Sequence, residues 1–191
     1  MLFVLASFGG FTHIFLAVGI SALFALITGA ICLRTKGVYF IMITMAFAQM
    51  GYYFFLSLEE YGGDDGLTIY SRSVFDIIDI ENKLVLFLLT YACLVGSIYA
   101  VYRIVNSRFG MVVRGCHSNE TRMKALGYNT YIYKLTAYVI AGGMCGLAGA
   151  LLGNFTTFIS PDMMNWSRSG ELMFMVILGG AGSLFGPVFG A

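Results

Sequence analysis

Long apolar segments alternate with short polar segments along the whole chain. A helix needs roughly 20 residues, at about 1.5 Å each, to cross a bilayer, and each apolar segment is close to that length. The segments are Thr12–Leu33, Val38–Leu58, Leu84–Val105, Leu135–Leu152 and Glu171–Ala191. In lipid a helix can satisfy its own backbone hydrogen bonds. The pattern therefore predicts an all-α protein, a multi-spanning transmembrane helical bundle with about five spans.

The composition excludes an ordinary soluble domain. Hydrophobic residues make up 59% of the chain and charged residues only 11%, whereas a soluble domain usually carries about 25% charge. Such a chain cannot cover itself with polar side chains, so its apolar surface must face lipid. The net charge of +1 gives no indication of a nucleic-acid partner.

The charges are sorted between alternate loops. The loop of residues 59–83 is acidic, and Arg72 is its only interior basic residue. The loop of residues 103–134 has Glu120 as its only acid, and its basic residues are Arg103, Arg108, Arg114, Arg122, Lys124 and Lys134. Basic residues are retained on the cytoplasmic side of a membrane. We therefore expect the acidic loop outside and the basic loop inside.

The chemical groups along the chain indicate no catalytic, cofactor-binding or metal site. The cysteines and histidines are isolated, without metal-ligand spacing: Cys32, Cys93, Cys116, Cys145, His13 and His117. There is no GxxxxGK[ST], GxSxG or HExxH motif. We expect a protein that is not an enzyme. A secondary carrier or channel working without ATP, or an intramembrane enzyme, would call for buried acids or a clustered catalytic set within the spans, and neither is seen.

The basic loop contains the pattern of a short capped helix. The Ser-Asn pair at 118–119 can cap its N-terminus, and Glu120 follows in the first turn, where the helix dipole favours an acid. Gly127 can end it in the left-handed conformation. Met123 and Leu126, three residues apart, are expected to share a face. Two turns are not stable alone in water, so the helix either packs on its own spans or docks on a partner.

Small residues recur at helical spacing in the last two apolar segments. In the fourth segment Gly142 and Gly146 form one row and Gly149 and Gly153 another. In the last segment the corresponding residues are Gly182 and Gly186. Such rows let two helices approach closely in lipid, so we predict helix packing. The alternative for residues 179–187 is a loosened backbone beside a pathway.

Four blocks of the sequence resemble the membrane subunit of the branched-chain amino acid ABC importers. They are LRTKGVYFIMITMAFAQM (residues 33–50), GGDDGLT (62–68), SRFGMVVRGCHSNETRMKALGYNTYIYKLTAYVIAGGMCGLAGALL (107–152) and LGGAGSLFGPVFGA (178–191). The blocks stand in the order expected of that family and include loops as well as spans. The likeness is greatest to the larger of its two permease types, and urea and amide importer permeases are similar.

The resemblance implies a role for the short helix. In that family the matching loop contacts the ATPase, so the resemblance favours docking and indicates an ATPase-coupling loop. Its candidate residues are Arg114, Glu120, Met123, Leu126 and Gly127. The family pattern has alanines after the acid, whereas residues 121–123 here are Thr-Arg-Met. The departure leaves the identity of the contact residues open.

The resemblance also implies the function and the partners. We expect one transmembrane permease domain over residues 1–191, incomplete at both ends, in the inner membrane of a bacterium. It would translocate branched-chain amino acids or similar small polar solutes. Its partners would be cytoplasmic ATP-binding cassette ATPase subunits, a second permease subunit, an external substrate-binding protein and the lipid bilayer, and not nucleic acid. The sequence does not identify the solute.

Overall fold

The computed structural model describes residues 10–35, 37–57, 67–68, 83–156, 158–180 and 185–191. Within them the chain forms eight α-helices, one short 3-10 helix and two strands of two residues each. The helices are α1 Gly10–Cys32, α2 Val38–Leu56, α3 Lys83–Val105, α4 Arg108–Ser118, α5 Glu120–Ala125, α6 Thr130–Thr156, α7 Trp166–Gly179 and α8 Gly186–Gly190. The 3-10 helix is Pro161–Met164, and the strands are β1 Leu67–Thr68 and β2 Phe158–Ile159.

Four of these helices, α1, α2, α3 and α6, are long and apolar enough to cross a bilayer. They bury few of their side chains against the rest of the described protein, and α2 buries none. Large apolar side chains such as Phe15, Tyr39 and Leu84 are more than 70% exposed. A surface this apolar is compatible with lipid and not with water. The prediction of an all-α, multi-spanning membrane protein is confirmed.

The fifth apolar segment forms two shorter helices instead of one long one. Helix α7 has 14 residues, a length of about 21 Å against a bilayer core of about 30 Å. It stops at Gly180, whose φ of 92° is a left-handed value that favours glycine. Helix α8 packs back on α7, so that a Cβ atom added to Gly190 would collide with the carbonyl of Met175. Hydropathy alone could not reveal this reversal.

One group of helices consists of α1, α3, α4, α5 and α6. Its most extensive contact is the antiparallel packing of α1 on α6. The hydroxyl of Tyr131 donates a hydrogen bond of 2.8 Å to the carbonyl of Ala30 at one end. Further along, the hydroxyl of Ser21 donates one of 2.5 Å to the carbonyl of Gly142. Backbone carbonyls are reached by side chains of the other helix because small residues line the contact.

The other group consists of α2, α7, α8, the two strands and the 3-10 helix. Strands β1 and β2 pair antiparallel, with Leu67 opposite Ile159 and Thr68 opposite Phe158. Residues 67–68, after the second span, and residues 158–159, after the fourth, must therefore lie on the same side of the membrane. The alternation of loops predicted from the charges requires the same arrangement. The prediction of one permease domain over residues 1–191 stays a prediction.

Candidate functional site

Asn119 forms the joint between α4 and α5. Its extended backbone, with φ of −157° and ψ of 98°, ends α4 and begins α5. Its Oδ1 atom accepts a hydrogen bond of 3.0 Å from the backbone N–H of Arg122. Ser107 caps the start of α4 in the same way, accepting from the N–H of Gly110 at 3.3 Å. Each cap satisfies a donor that the helix itself leaves free, and the sequence had placed the second cap at residues 118–119.

Gly127 ends α5 as the sequence predicted. Its φ is 85°, a region that a β-branched residue avoids. The N–H of Tyr128 donates to the carbonyl of Met123 at 3.2 Å, and the N–H of Gly127 donates to the carbonyl of Lys124 at 3.0 Å. These two bonds form a Schellman motif. A cap at each end keeps a helix of six residues in place.

Glu120 makes contacts that the sequence did not indicate. Its Oε2 atom accepts from Nζ of Lys134 at 2.7 Å. Its Oε1 atom lies 3.1 Å from Nζ of Lys124 and accepts from Oγ1 of Thr130 at 3.3 Å. Hydrogen bonds from Lys134 and then Lys124 lower the pKa of the Glu120 carboxyl from 4.5 to about 2. Glu120 therefore has two roles: it is an acid in the first turn of α5, and its ion pair with Lys134 joins α5 to α6.

Met123 and Leu126 have different surroundings. Met123 lies against α4, where a Cβ atom added to Gly115 would be 2.8 Å from its sulfur. Leu126 is 65% exposed. Met123 is half-buried against α4 and Leu126 is exposed, so the two side chains differ in what they contact; a role of both in a partner contact stays a prediction. Leu126 is a strongly exposed apolar side chain of this segment and is available to a partner.

Basic side chains accompany Leu126 on the α4–α5 segment. Arg114 on α4 and Arg122 on α5 are exposed, whereas Lys124 is paired with Glu120 at 3.1 Å. We name the exposed side chains of Arg114, Arg122 and Leu126 the loop surface. An apolar side chain with charged neighbours is typical of a protein–protein contact, in which a buried anchor supplies most of the affinity and the rim is polar.

Some of the α6 glycines predicted to pack helices lie in the contact with α1, and others do not. A Cβ atom at Gly146 would lie 2.5 Å from Cβ of Ser21, and one at Gly142 would collide with Ala25. Gly153 is buried. A Cβ atom at Gly149 would meet no described atom within 4 Å. The contact with α1 thus uses the row of Gly142 and Gly146, and Gly149 lies outside it.

The glycines of the last segment pack within that segment. Gly186 is buried at the start of α8, and its carbonyl would collide with a Cβ atom added to Gly179. Gly182 lies outside the described residues. The backbones of α7 and α8 approach so closely that side chains have no room between them.

A protein-family model described as the branched-chain amino acid transport system permease component matches residues 1–191, the whole chain. The chain belongs to this family. It is similar to the high-affinity branched-chain amino acid transport system permease protein LivM of Salmonella typhimurium, with 27% identity over 207 residues, which cover 96% of this chain and 49% of that protein. The likeness to LivM of Escherichia coli strain K12 is 27% identity over 111 residues, or 58% of this chain and 26% of that protein.

A shorter likeness connects the chain with the high-affinity branched-chain amino acid transport system permease protein LivH of Escherichia coli strain K12. The identity is 32% over 84 residues, which cover 44% of this chain and 27% of that protein. No solved structure matches. The chain spans about half the length of the LivM protein of Salmonella typhimurium. The resemblance inferred from the four sequence blocks is confirmed, and the chain is a multi-pass membrane protein of a transport permease family.

Sequence reasoning missed the partner row of the permease's fourth span. Helix α1 carries small residues at every fourth position, namely Ala17, Ser21, Ala25 and Gly29. The same spacing predicted helix packing for α6, and this row of α1 faces α6 along its length. A Cβ atom at Gly29 would lie 2.7 Å from the ring of Tyr138. A search for small residues four apart in every apolar segment would have found the row.

Proposed function

We propose that this chain is the substrate-translocating part of an ATP-driven importer for branched-chain amino acids or similar small polar solutes. It works in the inner membrane of a bacterium, where an external binding protein delivers the solute and a second permease subunit completes the pathway. Cytoplasmic ATPase subunits hydrolyse ATP, and this chain breaks no bond in the solute. The family match over the whole chain carries the proposal.

The loop surface is the place where we propose that the ATPase docks. It lies in the basic loop, which the distribution of Lys and Arg assigns to the cytoplasmic side. Both ends of α5 are capped, Glu120 ties it to α6, and Met123 ties it to α4. A partner therefore meets a preorganised surface, and preorganisation lowers the entropy lost on binding. Leu126 is the anchor, because it is apolar and 65% exposed at the end of this fixed helix.

Substitution of Leu126 by Asp tests this docking. An apolar anchor that is buried in an interface is typically worth about 2 kcal/mol or more, so the ATPase should bind about 30-fold more weakly. A charge left unpaired in the contact weakens it further. The measurement is co-purification of the ATPase subunits with the assembled importer, followed by uptake of radiolabelled leucine in proteoliposomes. Leu126→Asp should insert normally and lose both.

Thr121→Asp is the matched control. It adds the same charge to an exposed position of α5, about 140° around the helix from Leu126. It lies in the first turn, where the dipole favours an acid. Thr121→Asp should keep the ATPase and transport leucine at the unmodified rate. Retention of the ATPase and of full uptake by Leu126→Asp would mean that α5 only connects two helices.

A further inference from the structure

The docking helix α5 is bound to a membrane-spanning helix through one carboxylate. Glu120 lies at the start of α5, and Lys134 lies in the second turn of α6, 14 residues later. We propose that the Glu120–Lys134 ion pair passes movement of the ATPase-docked helix α5 to the membrane-spanning helix α6. The inference rests on the proposed function, since it presupposes that α5 docks.

The carboxylate of Glu120 is held in position and in orientation. Lys134 donates to one oxygen at 2.7 Å, and Thr130 donates to the other at 3.3 Å. Both partners belong to the first two turns of α6, and Thr130 is 2% exposed. Charge-assisted hydrogen bonds are shorter and stronger than neutral ones. Two bonds to two oxygens of one carboxylate hold it more rigidly than a single bond does.

Helix α6 is in turn fastened to α1 at the same level. Tyr131, between Thr130 and Lys134, donates to the carbonyl of Ala30 at 2.8 Å. One turn further, Gly29 of α1 lies against Leu135 and Tyr138, so that an added Cβ atom would come within 3.1 Å of the Leu135 side chain. A displacement of Lys134 would therefore move two spans as one packed pair. Packed helices have discrete arrangements, so they pass on a displacement without absorbing it.

The second attachment of α5 reaches α6 indirectly, through α4, whose Phe109 ring stacks on Tyr133 of α6 at 5.6 Å. Met123 contacts Gly115 of α4, and α4 is a short helix of 11 residues outside the spans. Methionine is unbranched and flexible, so it adapts to a moving neighbour. The apolar contact seats α5 on α4, and the ion pair connects α5 directly to a span.

Lys124 provides an internal control. It pairs with Glu120 at 3.1 Å, but both residues belong to α5, and the side chain of Lys124 is 55% exposed against 34% for Lys134. A pair within one helix cannot pull on another helix. Removal of Lys124 and removal of Lys134 each take one ammonium group from the same carboxylate, and only the second removes an ion pair between α5 and α6.

The experiment measures leucine transported per ATP hydrolysed by the assembled importer in proteoliposomes, with ATPase co-purification measured in parallel. Lys134→Met should keep the ATPase and lower this ratio about fivefold or more, the usual lower range of coupling between sites. Glu120→Gln should act alike. The double variant should lose no more than either single one, because both remove one contact. Lys124→Met should stay close to the unmodified importer, and Lys134→Arg, which keeps the charge, should restore most of the ratio.

An unchanged ratio in Lys134→Met, an equal loss in Lys124→Met, or losses that multiply in the double variant would each overturn the inference. Release of the ATPase by a Lys134→Met importer that elutes as a single species would also overturn it, since the pair would then shape the docking surface. Failure of the proposed function is seen separately, as retention of the ATPase by Leu126→Asp. If Lys134→Met does not fold, Glu120→Gln tests the same ion pair, because it keeps the size of the side chain and removes its charge.

Discussion

Replacement of Gly146 by Leu places a branched side chain in the closest contact between α1 and α6. A Cβ atom there would already lie 2.5 Å from Cβ and 2.9 Å from Oγ of Ser21, and 3.0 Å from the carbonyl oxygen of Ala17. The two distances to Ser21 are shorter than real Cβ contacts allow, so the helices must move apart. The hydrogen bond from Ser21 to Gly142 lies one turn away and would be stretched.

The magnitude follows from these two losses. Overpacking of a well-packed contact costs typically about 1–3 kcal/mol. A hydrogen bond between transmembrane helices contributes about 0.6 kcal/mol on average. We therefore expect Gly146→Leu to destabilise the folded protein by about 2–4 kcal/mol, which for a domain of this size corresponds to a fall in melting temperature of roughly 5 °C or more. The melting temperature of Gly146→Ala should lie between those of the unmodified protein and of Gly146→Leu, because alanine adds only the Cβ atom.

The assay is the melting temperature of the detergent-solubilised protein, read as the fraction that elutes as a single species after heating. Gly149→Leu is the control, since it makes the same change less than one turn away on α6 where no described atom lies within 4 Å. It should melt close to the unmodified protein. Equal melting temperatures for Gly146→Leu and Gly149→Leu would refute the reasoning, because steric contact with α1 could then not be the cause.

Two further predictions concern topology and pH. Asp65→Cys, in a loop outside the described residues, should react in intact cells with a thiol reagent that cannot cross membranes, whereas Asn119→Cys should not; the reverse labelling would show that the topology is inverted. Because the pKa of Glu120 is lowered from 4.5 to about 2, its ionisation stabilises the fold above pH 4.5, and that stabilisation is lost as the pH falls toward 2. The difference in melting temperature between the unmodified protein and Glu120→Gln should narrow over this interval, and a constant difference would contradict the assignment.

The spans and the caps could be predicted because their causes are local. Membrane insertion depends on the hydropathy of about 20 neighbouring residues, and α1, α2 and α3 lie within two residues of the predicted bounds at each end. Helix α6 is longer than predicted, and it begins at Thr130 instead of Leu135. Its first turns contain the polar residues Thr130 and Lys134. Both bind Glu120, which lies ten or more residues earlier in the chain. Hydropathy could not reveal them.

The hydrophobic pattern could not predict what each apolar side chain of α5 contacts. Met123 and Leu126 are three residues apart and equally apolar by type, yet Met123 covers Gly115 and Leu126 is exposed. The difference depends on where α4 lies relative to α5, and the extended backbone of Asn119 sets that angle. A helical period places residues on a face, but it does not say what the face meets.

Fold class, family and the ends of the short helix follow from the sequence, since hydropathy, sequence blocks and capping residues act over short stretches of chain. Three features required the folded chain: the row of glycines that meets α1, the packing of α8 on α7, and the pairing of Glu120 with Lys134. Each of these depends on the distance between atoms that are far apart in sequence. Packing and ion pairing are short-range forces in space, so only the folded chain determines which residues they join.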